Sequence, residues 1–205
     1  MNLFITGIGT NVGKTVVSAM LTEALQADYW KPIQSGVVEG KDSDTVKSLI
    51  TNSKSVFHPE TYLLKEPLSP HFAAKLDGVT IQLDKINLPK TTNHLIIEGA
   101  GGLLVPINDT QYVIDIAKQL DCEIVVVISS YLGCINHSLL SIDYLLRNHF
   151  KIKAMVFNGT FEPEVKQAIT SYVKNTLIID VPQVDELSKL SILQISLQIK
   201  SQIAL

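Results

Sequence analysis

The stretch Gly7-Ile8-Gly9-Thr10-Asn11-Val12-Gly13-Lys14-Thr15 constrains this chain more than any other. The apolar run Leu3-Phe4-Ile5 before it reads as a buried strand, and Val16 to Leu25 behind it has the apolar spacing of a helix. A strand, a glycine turn ending in Gly-Lys-Thr, and a helix together make a P-loop. Gly7 and Gly13 let the backbone curl closely around an anion. The N–H groups that open the helix lack partners and point at that anion, with the helix dipole behind them. Lys14 adds a point charge near the β- and γ-phosphates, and the Thr15 hydroxyl is placed to bind Mg²⁺. Five residues, where the common pattern has four, separate Gly7 from Gly13, so the loop is a variant.

Composition narrows what such a loop can serve. With 205 residues, 46% hydrophobic and 18% charged, the chain is globular and fits one domain over 1–205. A net charge of −3 argues against nucleic acid as a bulk partner. No apolar run approaches the ~18 residues of a membrane span. The chain enters a strand at once, with no basic region or cleavage signal, so a cytoplasmic setting is expected. Cys122 and Cys134 lack metal-ligand spacing and read as reduced thiols. Arg147 is the single arginine and falls late in an expected helix. Positive charge at a phosphoryl-transfer centre would therefore come from lysines, backbone and metal, not from an arginine finger within the chain.

Apolar strand-like runs alternate with helical spacing along the whole length, which predicts a mostly parallel sheet with helices on both faces. Strands are expected near Leu3–Thr6, Asp28–Lys31, His94–Glu98, Glu123–Ser129, Ile152–Asn158 and Leu177–Val181. Helices are expected near Gly13–Gln26, Ser43–Thr51, Val113–Leu120, Ile135–Asn148 and Pro163–Asn175, with a further one open at Pro70–Leu76. The mixed tail Leu187–Leu205 has only Lys189 and Lys200 as cations and reads as a packing helix rather than a membrane-surface one. Ligands of such sheets bind beyond the carboxyl ends of the strands, so residues just after strands carry the information.

Lys31-Pro32-Ile33-Gln34-Ser35-Gly36 follows the second strand, where a lysine can neutralise a phosphate or carboxylate or simply be solvated. In Asp42-Ser43-Asp44, Asp42 reads as an N-cap, and Asp44 reads equally as a helix-start acid or a metal carboxylate. Leu95-Ile96-Ile97-Glu98 ends in an acid before Gly99-Ala100-Gly101-Gly102, a placement suited to a Mg²⁺ ligand. His71 in Ser69-Pro70-His71 reads as structural or as a general base, and His58, His94 and His149 form no metal cluster. Gly133-Cys134-Ile135-Asn136-His137 is either a capping turn or a carboxylate site at a helix start.

Taken in order, the P-loop, Lys31–Gly36, Ser69–His71, Glu98–Gly102 and Gly133–His137 resemble the dethiobiotin synthetase family over most of the chain, less so after about Phe161. The resemblance implies a P-loop NTPase-like α/β fold and a C–N ligase that uses ATP and Mg²⁺. Its substrates would be 7,8-diaminononanoate and CO₂, joined through a carbamate and a carbamic-phosphoric anhydride. It implies Lys31 and Lys14 as catalytic cations, and Thr15, Asp44 and Glu98 as the metal set. ATP would be bound by Thr10, Asn11, Val12, Gly13, Lys14, Thr15 and Val16, with Asp44, Glu98 and Gly101 near the phosphates and Asn158 and Pro182 at the base. Ser35, Ser69 and Gly101 would line the diamine site. Asn136 would reach it from the partner of a homodimer. Gly9 and Asn11 depart from the family, which carries acids there. Two other functions fit a P-loop: a glutamine-dependent amidating ligase, and a partitioning or septum-positioning switch. The first needs a glutaminase domain that 205 residues do not hold. The second usually has another lysine in the P-loop and a basic surface, whereas positions 9 and 11 are Gly and Asn.

Overall fold

The computed structural model describes residues 1–184 and 186–203. Its elements are β1 (Asn2–Gly7), α1 (Lys14–Leu25), β2 (Asp28–Trp30), β3 (Ile33–Ser35), α2 (Asp42–Leu49), β4 (Phe57–His58), β5 (Tyr62–Leu64) and α3 (Pro70–Leu76). Then follow β6 (Leu95–Glu98), α4 (Val113–Gln119), β7 (Glu123–Ser129), α5 (Cys134–Arg147), β8 (Ile152–Asn158), α6 (Pro163–Thr170), β9 (Leu177–Val181) and α7 (Lys189–Ile203). Seven strands form one sheet in the order β4-β2-β6-β1-β7-β8-β9, and β3 and β5 pair separately. Every pairing is parallel.

The central strands are apolar on both faces because both faces are covered. Phe4, Ile5, Ile96, Ile97, Val126, Val127 and Ile128 are all buried. From β1 the chain moves over β6 to β2, whereas β6 leads over β1 to β7, and then on to β8 and β9. Right-handed crossovers put connections of opposite sense on opposite faces. Accordingly α1 packs with α2 and α7, and α5 packs with α6. The crevice opens where these directions diverge, beyond the carboxyl ends of β1 and β6.

All six expected strands and all five expected helices are present, as is the open one at Pro70–Leu76. The helix expected to run to Asn175 stops at Thr170. The tail forms α7, whose Ile192, Ile195, Ile199 and Ile203 are buried, and Ser196 Oγ donates to the Met20 carbonyl on α1 at 3.0 Å. The last two residues of that expectation lie outside the described residues. Strands β3, β4 and β5 are additions, each two or three residues long. A period of two cannot be seen in so few positions. The β3–β5 pair nevertheless matters, because Gln34 and Ser35 belong to β3 and are held by it.

Candidate active site

Glycine 13 starts α1 with φ +96°, and no side chain caps the helix, so its first N–H groups face the cleft unoccupied by the protein's own acceptors. A Cβ at this glycine would lie 2.1 Å from Asn158 Nδ2. Its absence lets Asn158, at the end of β8, donate to the Val12 carbonyl at 3.0 Å. Lys14 Nζ donates to the Gly9 carbonyl at 3.0 Å, which folds the loop over its own lysine. Burial, and then the positive charge of Lys31, bring Lys14 down to about 8, against the opposing pull of Glu98 and Asp42.

The second half of the site comes from β2 and β6. These strands pair with Trp30 opposite Ile97, so the next residues, Lys31 and Glu98, stand side by side at the strand ends. Both are buried. Lys31 Nζ lies 2.6 Å from Asp42 Oδ2 and 3.1 Å from Glu98 Oε1, and it donates to the Gly99 carbonyl at 3.0 Å. Burial works against the Lys31 charge, but the two carboxylates outweigh it and hold the amine above its ordinary value. Asp42 is correspondingly held below the usual carboxylate range: burial opposes this, and Lys31 prevails. Glu98 Oε1 also accepts from Thr15 Oγ1 at 2.9 Å, and Oε2 accepts from the Tyr29 hydroxyl at 2.9 Å.

Lys14, Thr15, Lys31, Asp42 and Glu98 line one cleft of about 990 Å³, together with Thr10, Asn11, Val16, Ser35, Ser69 and Gly101. Ser35 Oγ is buried without a protein partner, which leaves a hydroxyl free for a ligand. One expectation is corrected by the geometry. Asp44 is exposed and does not line the cleft, whereas Asp42 does. The two positions are about 200° apart around α2, so only one can face inward. Asp42 is no side-chain N-cap; it lies within the helix, with Lys41 at the cap. Gln34 Oε1 accepts the Asp42 N–H at 3.0 Å and so fixes that turn.

Other expected positions lie apart from the cleft. Val12 is buried beneath the loop. Asn158 pairs with Val181 across β8 and β9, so Pro182 emerges next to it and is exposed. Asn136 is exposed in the first turn of α5 and does not line the cleft, and neither does His71. His58 bonds Asp28 at 3.2 Å, at the amino end of β2. Tyr29 and Gln34 were missed. The one signal for Tyr29 was its place two residues before Lys31, on the same strand face.

The donor chemistry fits magnesium. Among the described residues no group of three His, Cys, Asp or Glu side chains could hold a metal alone. Thr15, Asp42 and Glu98 instead supply hard oxygens around one ammonium, and Mg²⁺ characteristically takes one or two carboxylates plus phosphate and water.

Fold and cleft together define a P-loop nucleotide-binding protein. Residues 1–191 match the family model described as an AAA domain. Among solved structures the chain resembles the cell division ATPase MinD of Pyrococcus furiosus, with a TM-score of 0.60 at 12% identity over 98% of this chain and 99% of that one. It also resembles a ParA family ATPase from Chlorobium tepidum, with a TM-score of 0.56 at 12% identity over 97% and 92%. At such identity the likeness is one of fold. In sequence the chain is 48% identical to the ATP-dependent dethiobiotin synthetase BioD of Cytophaga hutchinsonii, over 91% of this chain and 90% of the relative. Against the enzyme of the same name in Lawsonia intracellularis it is 43% identical over 96% and 95%. The chain belongs to the dethiobiotin synthetase family, whose members are ligases that form C–N bonds.

Proposed function

We propose that this protein closes the ureido ring of dethiobiotin from 7,8-diaminononanoate, CO₂ and ATP. The observation that supports it is the shared cleft: Lys14 and Lys31, two acids and the Thr15 hydroxyl border the same space as Ser35, Ser69 and Gly101. One side has the chemistry of a triphosphate site, and the other has room for a small polar substrate. Relatives named ATP-dependent dethiobiotin synthetase support that overall conversion, and the steps below are our reading of how the cleft performs it.

One neutral amine of the substrate attacks CO₂, forming a C–N bond and losing a proton to water, and becomes a carbamate. A carbamate oxygen attacks the γ-phosphorus, the bond to the β-phosphate oxygen breaks, and ADP leaves. The second amine then attacks the carbonyl carbon of the anhydride, its C–O bond to phosphate breaks, and the amine proton departs with phosphate or to water. Lys14 follows the transferring phosphoryl group. Lys31 neutralises the carbamate and the charge that develops between it and the γ-phosphate. Thr15, Asp42 and Glu98 would hold Mg²⁺, which neutralises phosphate charge when bound. Ser35 and Ser69 donate or accept along the diamine, while Asn158 and the Pro182 loop border the base. Free carbamates lose CO₂ readily, so holding one against the γ-phosphate is itself a large part of catalysis.

The enzyme acts as a homodimer in this reading. Asn136, exposed and outside its own cleft, would serve the site of the second subunit. The apolar Leu132 and Leu140 near it are exposed as well, at 103% and 62%. We place the enzyme in the cytoplasm; among the described residues no helix is long and apolar enough to cross a membrane.

The test supplies diaminononanoate, bicarbonate, Mg²⁺ and ATP and looks for the cyclic urea by mass spectrometry. Lys31→Gln is expected to reduce turnover by roughly 10²-fold or more, the scale of a lost electrostatic stabiliser. Absence of the urea from the wild-type protein overturns the reading, and near-normal turnover in Lys31→Gln removes Lys31 from the centre.

A further inference from the structure

Three donors hold the Glu98 carboxylate, and only two of them border the cleft. Thr15 and Lys31 do, and both bond Oε1. The third, Tyr29, has no exposed surface and does not line the cleft. Its ring is tilted against Phe57 with centroids 5.5 Å apart, and its hydroxyl crosses from β2 to β6 to donate to Oε2. The phenol therefore touches neither nucleotide nor substrate, yet it grips the oxygen of Glu98 that faces away from Thr15 and Lys31.

That grip has a physical consequence. The terminal torsion of a glutamate is broad, so rotamer preference alone does not say which oxygen faces a ligand. A hydrogen bond to one oxygen does. We propose that Tyr29 is a positioning residue for the metal site: its hydroxyl pins Glu98 Oε2 and so presents Oε1 to the cleft beside the Thr15 hydroxyl. The inference rests on the reading of Glu98 as a Mg²⁺ ligand. Partners that orient metal-binding carboxylates in this way are commonly worth 10- to 100-fold in metal affinity or activity.

Tyr29→Phe keeps the ring packed on Phe57 and removes only the donor. The measurements are Mg²⁺ and Mn²⁺ affinity in the ADP complex, by calorimetry and by paramagnetic resonance, alongside steady-state kinetics. Glu98→Gln serves as the control. Tyr29→Phe is expected to weaken metal affinity by about 10-fold and to lower kcat, with KM for the diamine and metal-free ADP affinity near wild type. Unchanged metal affinity with only a lower melting temperature overturns the inference and leaves Tyr29 as a packing residue. Unchanged metal affinity in Glu98→Gln overturns the metal assignment itself and the Tyr29 role with it. If Tyr29→Phe does not fold, the crystal structure of the wild-type Mg·ADP complex decides. Glu98 bound through Oε1 with Oε2 still on Tyr29 supports the role, and a bidentate Glu98 released from Tyr29 ends it.

Discussion

Lys31 sits where one ammonium meets two carboxylates and a carbonyl, and its neighbours set which residues respond to mutation. Asp42→Asn is expected to raise the Mg²⁺ concentration needed for half-maximal turnover. Asp44→Asn, exposed on the other side of α2, is expected to leave the metal titration unchanged; the reverse pattern would restore Asp44 to the site. Lys14 carries a pH prediction. Its amine, lowered to about 8 chiefly by burial, must be charged to hold phosphate. Below pH 8 it already is, so nucleotide affinity is flat there. Above pH 8, binding has to recapture a proton, and affinity falls by up to about tenfold per pH unit. Calorimetry from pH 7 to 9.5 in buffers of different ionisation enthalpy checks both the fall and the proton uptake. A flat profile would mean that Lys14 titrates elsewhere. Lys14, Lys31, Thr15 and Glu98 were legible in the sequence because each sits next to a strand end or a glycine turn. The choice of Asp42 over Asp44 was not, since it depends on the rotation of α2 about its axis.

At the scale of elements, α7 shows how a segment with weak local signal gains its structure from packing. Its isoleucines lie against α1, while Leu197 on the other side is 62% exposed. Ile199→Ala is expected to cost about 2–5 kcal/mol of stability, the range for deleting a buried branched side chain. Leu197→Ala should stay within about 0.5 kcal/mol. Denaturant unfolding of both variants checks the contrast, and equal costs would mean that α7 packs by a different face. Long periodic elements such as α1 and α5 could be read in advance. The short strands β3, β4 and β5 could not, because their two or three residues pair only once β2 and Pro32 have set the path.

At the scale of the whole molecule, the cleft is assembled from the ends of β1, β2 and β6 and the first turns of α1 and α2, with Asn136 left outside it. Mixing Lys31→Gln with Asn136→Ala subunits tests the trans arrangement. In a mixed dimer one site keeps both Lys31 and the partner's Asn136, so activity is expected to reappear in a mixture of two inactive proteins. No recovery, with dimer exchange verified, would mean that Asn136 serves its own subunit or none. By itself the sequence determined the P-loop, the alternation that makes a parallel sheet, and a lysine and an acid each at a strand end, because these follow from periodicity and short-range backbone chemistry. Only the tertiary structure decided that Asp42 rather than Asp44 meets Lys31, and that the Tyr29 hydroxyl closes on Glu98. Those contacts join residues 11 and 69 positions apart, and their geometry depends on strand register and helix rotation, which no local pattern encodes.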